Sequence, residues 1–304
     1  MPSLRSRAFG LFMNLAVRPL WSEELDIVKV RDRMKRLDAI LGSGNSVGHT
    51  TPVLANGVPC EWIDATEKPE KHFLLYFHGG GFSVHLPRFY NRLAAELSAL
   101  FDCEVILPDY RLAPEFPFPA APDDCLAVYQ WLLEERRIAP GHLLLAGDSA
   151  GGNLVLGTLL SAKAVGLPMP AAAWVISTSV DCDWSESDYQ RMSRTPDPMF
   201  NAHALELLGP YFGDADRRDY RISPIYGDLS GLPPILIEAG GSELFTDQPG
   251  RFKALAACDA IEVEAVVTPG MPHVYPLFKF LPEARKSRRR ALAFFSRHLA
   301  RHER

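Results

Sequence analysis

Six short apolar runs limit what this chain can fold into: residues 73–77, 105–107, 143–146, 174–176, 235–237 and 263–267. Each has the length of a strand, and helical patterns lie between them. That alternation is the signature of a mostly parallel sheet covered by helices on both faces. Ahead of the six, Val53-Leu54-Ala55-Asn56-Gly57-Val58 reads as an antiparallel hairpin, because Asn-Gly supplies the positive φ angles of a two-residue turn. Two hairpin strands and six parallel ones predict an eight-stranded α/β sheet. At 304 residues and 47% hydrophobic, with glycine, proline and charge evenly spread, the chain can bury one large core and offers no linker, so residues 1–304 read as a single domain.

The third of the six runs ends in Gly147-Asp148-Ser149-Ala150-Gly151, and a small-residue helical pattern follows at 152–160. A strand that enters a helix through so sharp a turn needs glycine on both sides, where a Cβ would not fit. The strained turn then leaves the central hydroxyl exposed above the sheet edge. Ser149 is therefore the candidate nucleophile, and Asp148 is read as a structural acceptor.

Seventy-one residues upstream of Ser149, the first run ends in His78-Gly79-Gly80-Gly81-Phe82. When a serine attacks a carbonyl, charge develops on oxygen, and backbone N–H groups already aimed there stabilise it by roughly 3–4 kcal/mol per donor. Consecutive glycines let backbone approach a substrate unobstructed. The N–H groups of Gly79, Gly80 and Gly81, with that of Ala150, are the expected oxyanion donors.

With these two motifs stand Asp109–Glu115 reading DYRLAPE, Phe116–Asp124 reading FPFPAAPDD, SPIYGDLSGLPPILIE from Ser223 to Glu238, and GMPHVYPLF from Gly270 to Phe278. In this order they resemble the hormone-sensitive-lipase-like branch of the α/β-hydrolases, from about residue 73 onward. The resemblance implies a carboxylesterase with a Ser-His-acid triad, no cofactor and no metal. It also implies a helical cap made of the N-terminal helices and an insertion after the sixth strand, here about residues 1–45 and 183–222. The DYRLAPE charges are read as a paired scaffold under the glycine loop, since charges buried there are tolerable only when paired.

A base is needed for Ser149, and a histidine pKa near 6.5 suits it. In this fold the order is nucleophile, acid, histidine, with the histidine on the loop after the last strand. His273 meets both conditions. His298 and His302 look like surface residues of the final helix, and His85, His142 and His203 read as structural or solvated. The acid belongs to the loop after the seventh strand, Ala239-Gly240-Gly241-Ser242-Glu243-Leu244-Phe245-Thr246-Asp247. This segment departs from the D-P-L-x-D pattern of the family. The family's spacing of about thirty residues to the histidine favours Glu243. Asp247 is the second candidate, and Asp181 or Asp183 after the sixth strand the third.

Five scattered cysteines without metal-ligand spacing suggest a reduced, cytoplasmic setting. A net charge of −5 argues against nucleic acid, and no stretch is apolar enough for stable membrane insertion. Arg5, Arg7 and the apolar stretch after them imitate a signal peptide, but Asn14 interrupts it. A helix with Ala8, Leu11, Phe12 and Leu15 on one apolar stripe is expected instead. Arg285, Lys286, Arg288, Arg289 and Arg290 read as the solvated face of a last helix whose Ala291, Phe294, Phe295 and Leu299 point inward. The expected substrate is a small acyl ester of short to medium chain. A lactone is the near alternative, and a non-hydrolysing small-ligand binder is the alternative of a different class. An edge strand of the sheet offers a place for a homodimer.

Overall fold

The computed structural model describes residues 2–21, 26–42, 48–66 and 72–302. The strands are β1 (His49–Ala55), β2 (Val58–Asp64), β3 (His72–Phe77), β4 (Cys103–Pro108), β5 (Leu143–Asp148), β6 (Ala172–Ile176), β7 (Ile235–Gly240) and β8 (Val263–Thr268). They form one sheet in the order β1-β2-β4-β3-β5-β6-β7-β8. β1 and β2 pair antiparallel, as do β2 and β4, and every other neighbouring pair is parallel. The hairpin closes with Ala55 opposite Val58, and Asn56 and Gly57 take φ of 46° and 87°, as a two-residue turn requires.

The helices are α1 (Leu4–Ala16), α2 (Ile27–Leu41), α3 (Pro87–Phe101), α4 (Ala120–Glu134), α5 (Ala150–Ala164), α6 (Glu186–Arg194), α7 (Gly209–Phe212), α8 (Gln248–Ala256) and α9 (Pro282–His302). Side chains that alternate along each strand feed two separate cores. Leu75 and Phe77 of β3 pack with Val128 of α4, Leu154 of α5 and Phe252 of α8. Leu74 and Tyr76 pack on the opposite face with Leu93 of α3 and Phe294 of α9. Because both faces are covered, the central strands carry no polar alternation, which is why they appear in the sequence as apolar runs. Burying one such Leu or Phe side chain contributes about 1.5–3 kcal/mol.

Two helical faces differ from expectation. α1 does carry the stripe of Ala8, Leu11, Phe12 and Leu15, but it faces solvent, with Leu11, Phe12 and Leu15 each more than half exposed. The buried side is Ser6, Phe9 and Met13. Phe9 packs on Phe278 at 4.7 Å between ring centres, and Ser3 and Ser6 are bonded to Glu283 at the start of α9.

On α9, Ala291, Phe294, Phe295 and Leu299 are buried as expected, but the basic run is not uniformly solvated. Arg285, Lys286 and Arg289 are exposed. Arg288 is buried, donates to the Pro276 and Leu277 carbonyls and pairs with Glu96. Arg290 pairs with Glu238 of β7, a fully buried carboxylate that also accepts from Trp174 Nε1 and Ser287 Oγ. His298 is likewise buried, against Phe294 and beside Glu262, and the His302 side chain lies outside the described residues.

A buried carboxylate deprived of its cation is costly. Arg290→Met is expected to lower unfolding free energy in urea by about 3 kcal/mol, whereas Arg289→Met, one residue away and exposed, should change it by less than about 0.5 kcal/mol.

Candidate active site

Ser149 sits between β5 and α5 with φ 53° and ψ −120°, a conformation that a non-glycine residue holds only when its surroundings impose it. The surroundings here are backbone. A Cβ on Gly147 would lie 2.5 Å from the Gly151 carbonyl oxygen, and one on Gly151 would lie 2.0 Å from that of Phe77. The Ser149 N–H donates to Ile176 O at 2.8 Å, tying the turn to the end of β6. Asp148 points into the protein and accepts from Tyr76 Oη at 2.8 Å, Tyr90 Oη at 3.0 Å and the Gly79 N–H at 3.2 Å. Burial pushes its carboxyl up to about 6, against the pull of the two tyrosines. It is a structural acceptor, as expected.

The glycine loop lies beside the serine, with a correction to its expected role. The Gly79 N–H is taken up by Tyr90 Oη at 2.9 Å and by Asp148, so it is not free to bind an oxyanion. Gly80 and Gly81 line the cavity with Ser149, and no acceptor occupies their N–H groups among the described residues. Gly80 has φ 124°, and a Cβ there would meet Val84 O at 2.0 Å. Ala150 opens α5, so its N–H is one of those that a helix leaves without an internal partner.

The DYRLAPE charges are paired as expected, but Asp109, Arg111 and Glu115 are exposed rather than buried. Asp109 bonds His85 at 2.9 Å, Tyr110 Oη donates to His78 O at 2.7 Å, Arg111 pairs with Asp124, and Glu115 pairs with Arg31 of α2. Nitrogen and oxygen atoms of His78, His85 and Asp109 lie within 4.8 Å of one another. The two imidazoles, however, stack face to face at 4.1 Å and 11°, so their lone pairs do not converge on a common point, and the set does not fit a metal ion.

His273 Nε2 lies 2.9 Å from Ser149 Oγ. Its Nδ1 lies 3.6 Å from Glu243 Oε2, the distance of an ion pair rather than of a direct hydrogen bond. Both residues are buried. The other candidate acids are engaged elsewhere: Asp247 with Arg191, Asp181 with Arg251, and Asp183 with Arg218. Burial alone drives the His273 pKa down, but Glu243, and beyond it Asp197 and Asp148, outweigh this and hold it above the ordinary histidine value.

Two polar residues that the sequence did not single out organise this pair. Ser177, buried at the end of β6 with φ 49°, donates to Glu243 Oε2 at 2.7 Å and accepts from the Val274 N–H at 2.9 Å. It therefore ties the acid to the residue after the histidine. Asp197, also buried, accepts from the N–H groups of Met199 and Phe200 with one oxygen and from that of Leu244 with the other. It joins the segment between β6 and β7 to the loop that carries Glu243. Neither stands in a motif; only the three-dimensional convergence of three loops reveals them.

A cavity of about 190 Å³ opens on Ser149 and His273. Its walls come from Met13 and Val17 at one end of the chain, and from Met199, Phe200 and Leu207 between β6 and β7. These two distant pieces are joined directly. Trp21 Nε1 donates to Met199 O at 2.9 Å, Asn201 Nδ2 donates to Trp21 O at 2.8 Å, and the Trp21 and Phe200 rings sit 5.1 Å apart. Phe200 and Phe245 also set their rings edge-on against the His273 imidazole at 5.0 and 5.8 Å.

Known proteins share this architecture. A family model described as the α/β-hydrolase fold matches residues 74–277. An acetyl-hydrolase of Streptomyces hygroscopicus is 33% identical over 250 residues, which cover 82% of this chain and 80% of its own. An esterase/lipase from an uncultured bacterium superposes with a TM-score of 0.88 at 30% identity, over 98% of this chain and 99% of that one. An esterase from the bacterial hormone-sensitive lipase family superposes with a TM-score of 0.87 at 30% identity, over 98% and 100%. The chain belongs to the α/β-hydrolase fold family. Within it, the chain falls in the hormone-sensitive-lipase-like branch.

The electrostatics make a test that needs no substrate. Followed by NMR, the His273 imidazole should titrate above the ordinary value of about 6.5, and Glu243→Gln, which removes the largest opposing charge, should move that titration to lower pH. An unchanged midpoint in Glu243→Gln would show that another group holds the imidazole.

Proposed function

We propose that this protein is a serine carboxylesterase acting on short- to medium-chain acyl esters. The observation that carries the reading is the 2.9 Å contact of Ser149 Oγ with His273 Nε2 at a strained turn beside Gly80 and Gly81. In this reading Ser149 attacks the ester carbonyl and His273 takes its proton. Glu243 stabilises the imidazolium, and the N–H groups of Gly80, Gly81 and Ala150 hold the charge that develops on oxygen. His273 then protonates the leaving alcohol, and water activated by the same histidine frees the acid. None of these steps calls for a cofactor. The esterase and acetyl-hydrolase names of the relatives support the same chemistry.

Residues 1–45 and 183–222 act as the cap in this proposal; of the first segment, residues 1, 22–25 and 43–45 lie outside the described ones. Their apolar walls favour a hydrocarbon acyl group over a charged one. At about 190 Å³ the cavity falls below the roughly 300–1,000 Å³ of pockets for drug-sized ligands, which supports a small acyl group.

Rates on p-nitrophenyl esters of increasing acyl length test the reading, with small lactones run in parallel. Activity should peak at short chains, and Ser149→Ala should lower kcat by about 10³-fold or more. Near-normal turnover in Ser149→Ala would refute the mechanism, and a preference for lactones would reassign the substrate. Ser177→Ala removes a hydrogen bond to a carboxylate and should lower kcat by about tenfold with little change in KM.

A further inference from the structure

The outer face of α1 is an apolar surface on a helix that is held in place. Leu4, Leu11, Phe12 and Leu15 are 81%, 61%, 56% and 69% exposed. Fraying does not explain this. The start of the helix is held by Ser3 and Ser6 on Glu283, and its inner face is buried through Phe9 and Met13. At about 100° per residue, positions 4, 8, 11, 12 and 15 form one stripe. Arg5 falls on one edge of that stripe and Arg7 on the other. Both are exposed, and neither meets an acidic partner among the described residues.

The charge around this stripe runs against that of the whole molecule. The chain carries 32 basic and 37 acidic side chains, yet residues 2–21 contain three arginines and no acid. The face that α1 turns to solvent combines apolar side chains, which a headgroup boundary can take up, with two arginines at its edges, which lipid phosphates can meet. A second copy of this chain fits the face poorly, because pairing two such stripes would set four arginines along one seam, and residues 2–21 of neither copy supply an acid to meet them.

We propose that the outer face of α1 docks the protein on an anionic lipid surface, with the apolar stripe entering the headgroup boundary and Arg5 and Arg7 meeting lipid phosphates. The inner face of the same helix supplies Met13 to the cavity wall, so docking sets the cavity beside the phase in which apolar esters dissolve. This last consequence rests on the esterase reading; the docking itself does not.

The test is sedimentation with vesicles of phosphatidylcholine, with and without phosphatidylglycerol, read independently of hydrolysis. Binding should require the anionic lipid and weaken as salt rises. The combined variant Leu11→Ser, Phe12→Ser and Leu15→Ser should bind at least tenfold less, and Arg5→Gln with Arg7→Gln should lose the preference for anionic vesicles. Circular dichroism and turnover of a water-soluble short-chain ester should stay at parent levels in both variants, since none of the five residues lines the cavity. Equal vesicle binding by parent and serine variant would overturn the proposal, as would no binding by the parent. A parent dimer that the serine variant dissolves, without vesicle binding, would assign the face to a second copy and overturn it too.

Discussion

The distance between the first turn of α5 and the end of β3 governs the site. Gly151 stands so close to the Phe77 carbonyl that no side chain fits between them, and Gly147 is likewise too close to Gly151 to carry one. This approach fixes Ser149 in its strained conformation. It also brings Asp148 under the glycine loop, where Tyr76, Tyr90 and the Gly79 N–H converge on one carboxylate. The loop is therefore positioned by the same turn that presents the serine. Gly79 gives up its N–H to that anchor, and Gly80 and Gly81, which line the cavity, have no acceptor for theirs among the described residues. In the proposed mechanism, donors held this way need no rearrangement as charge develops, which is the condition under which oriented dipoles stabilise it most.

The remaining machinery is held by three loops at the carboxyl ends of β6, β7 and β8, the edge at which open α/β sheets place their ligands. Ser177 at the end of β6 bonds both Glu243 and the backbone beside His273. An aspartate on the same loop would be one methylene shorter and further still from the imidazole, which already lies 3.6 Å from the glutamate carboxylate. The longer acid is thus matched to this spacing. Asp197 extends the arrangement outward by tying the loop of Glu243 to Met199 and Phe200 in the cavity wall.

Much of this was legible in the sequence because the constraints were local. The Asn56-Gly57 turn, the strand runs and the strand-turn-helix around Ser149 each follow from backbone geometry that few residues can adopt. Glu243 was separable from Asp247 only by the family's spacing. What escaped was non-local. The apolar positions of α1 were readable, but not which of its two apolar faces, Phe9 with Met13 or Leu11 with Phe12 and Leu15, finds a partner, because that depends on where Phe278 and the cavity lie. Arg290 and Arg289 are equivalent on paper, and only the register of α9 against β7 gives one of them a buried carboxylate. Ser177 is an ordinary serine until three loops meet around it, and the Gly79 N–H is engaged by a tyrosine eleven residues away.

The edge-on contact of Phe200 with the His273 imidazole gives one ring two duties. It forms part of the cavity wall and covers the buried imidazole, and the Trp21 ring packs against it from the N-terminal segment. A change in the shape of that wall therefore also changes how much solvent the imidazole meets. The width of the chamber and the protonation of His273 are not independent quantities, and a substitution at position 200 alters both together.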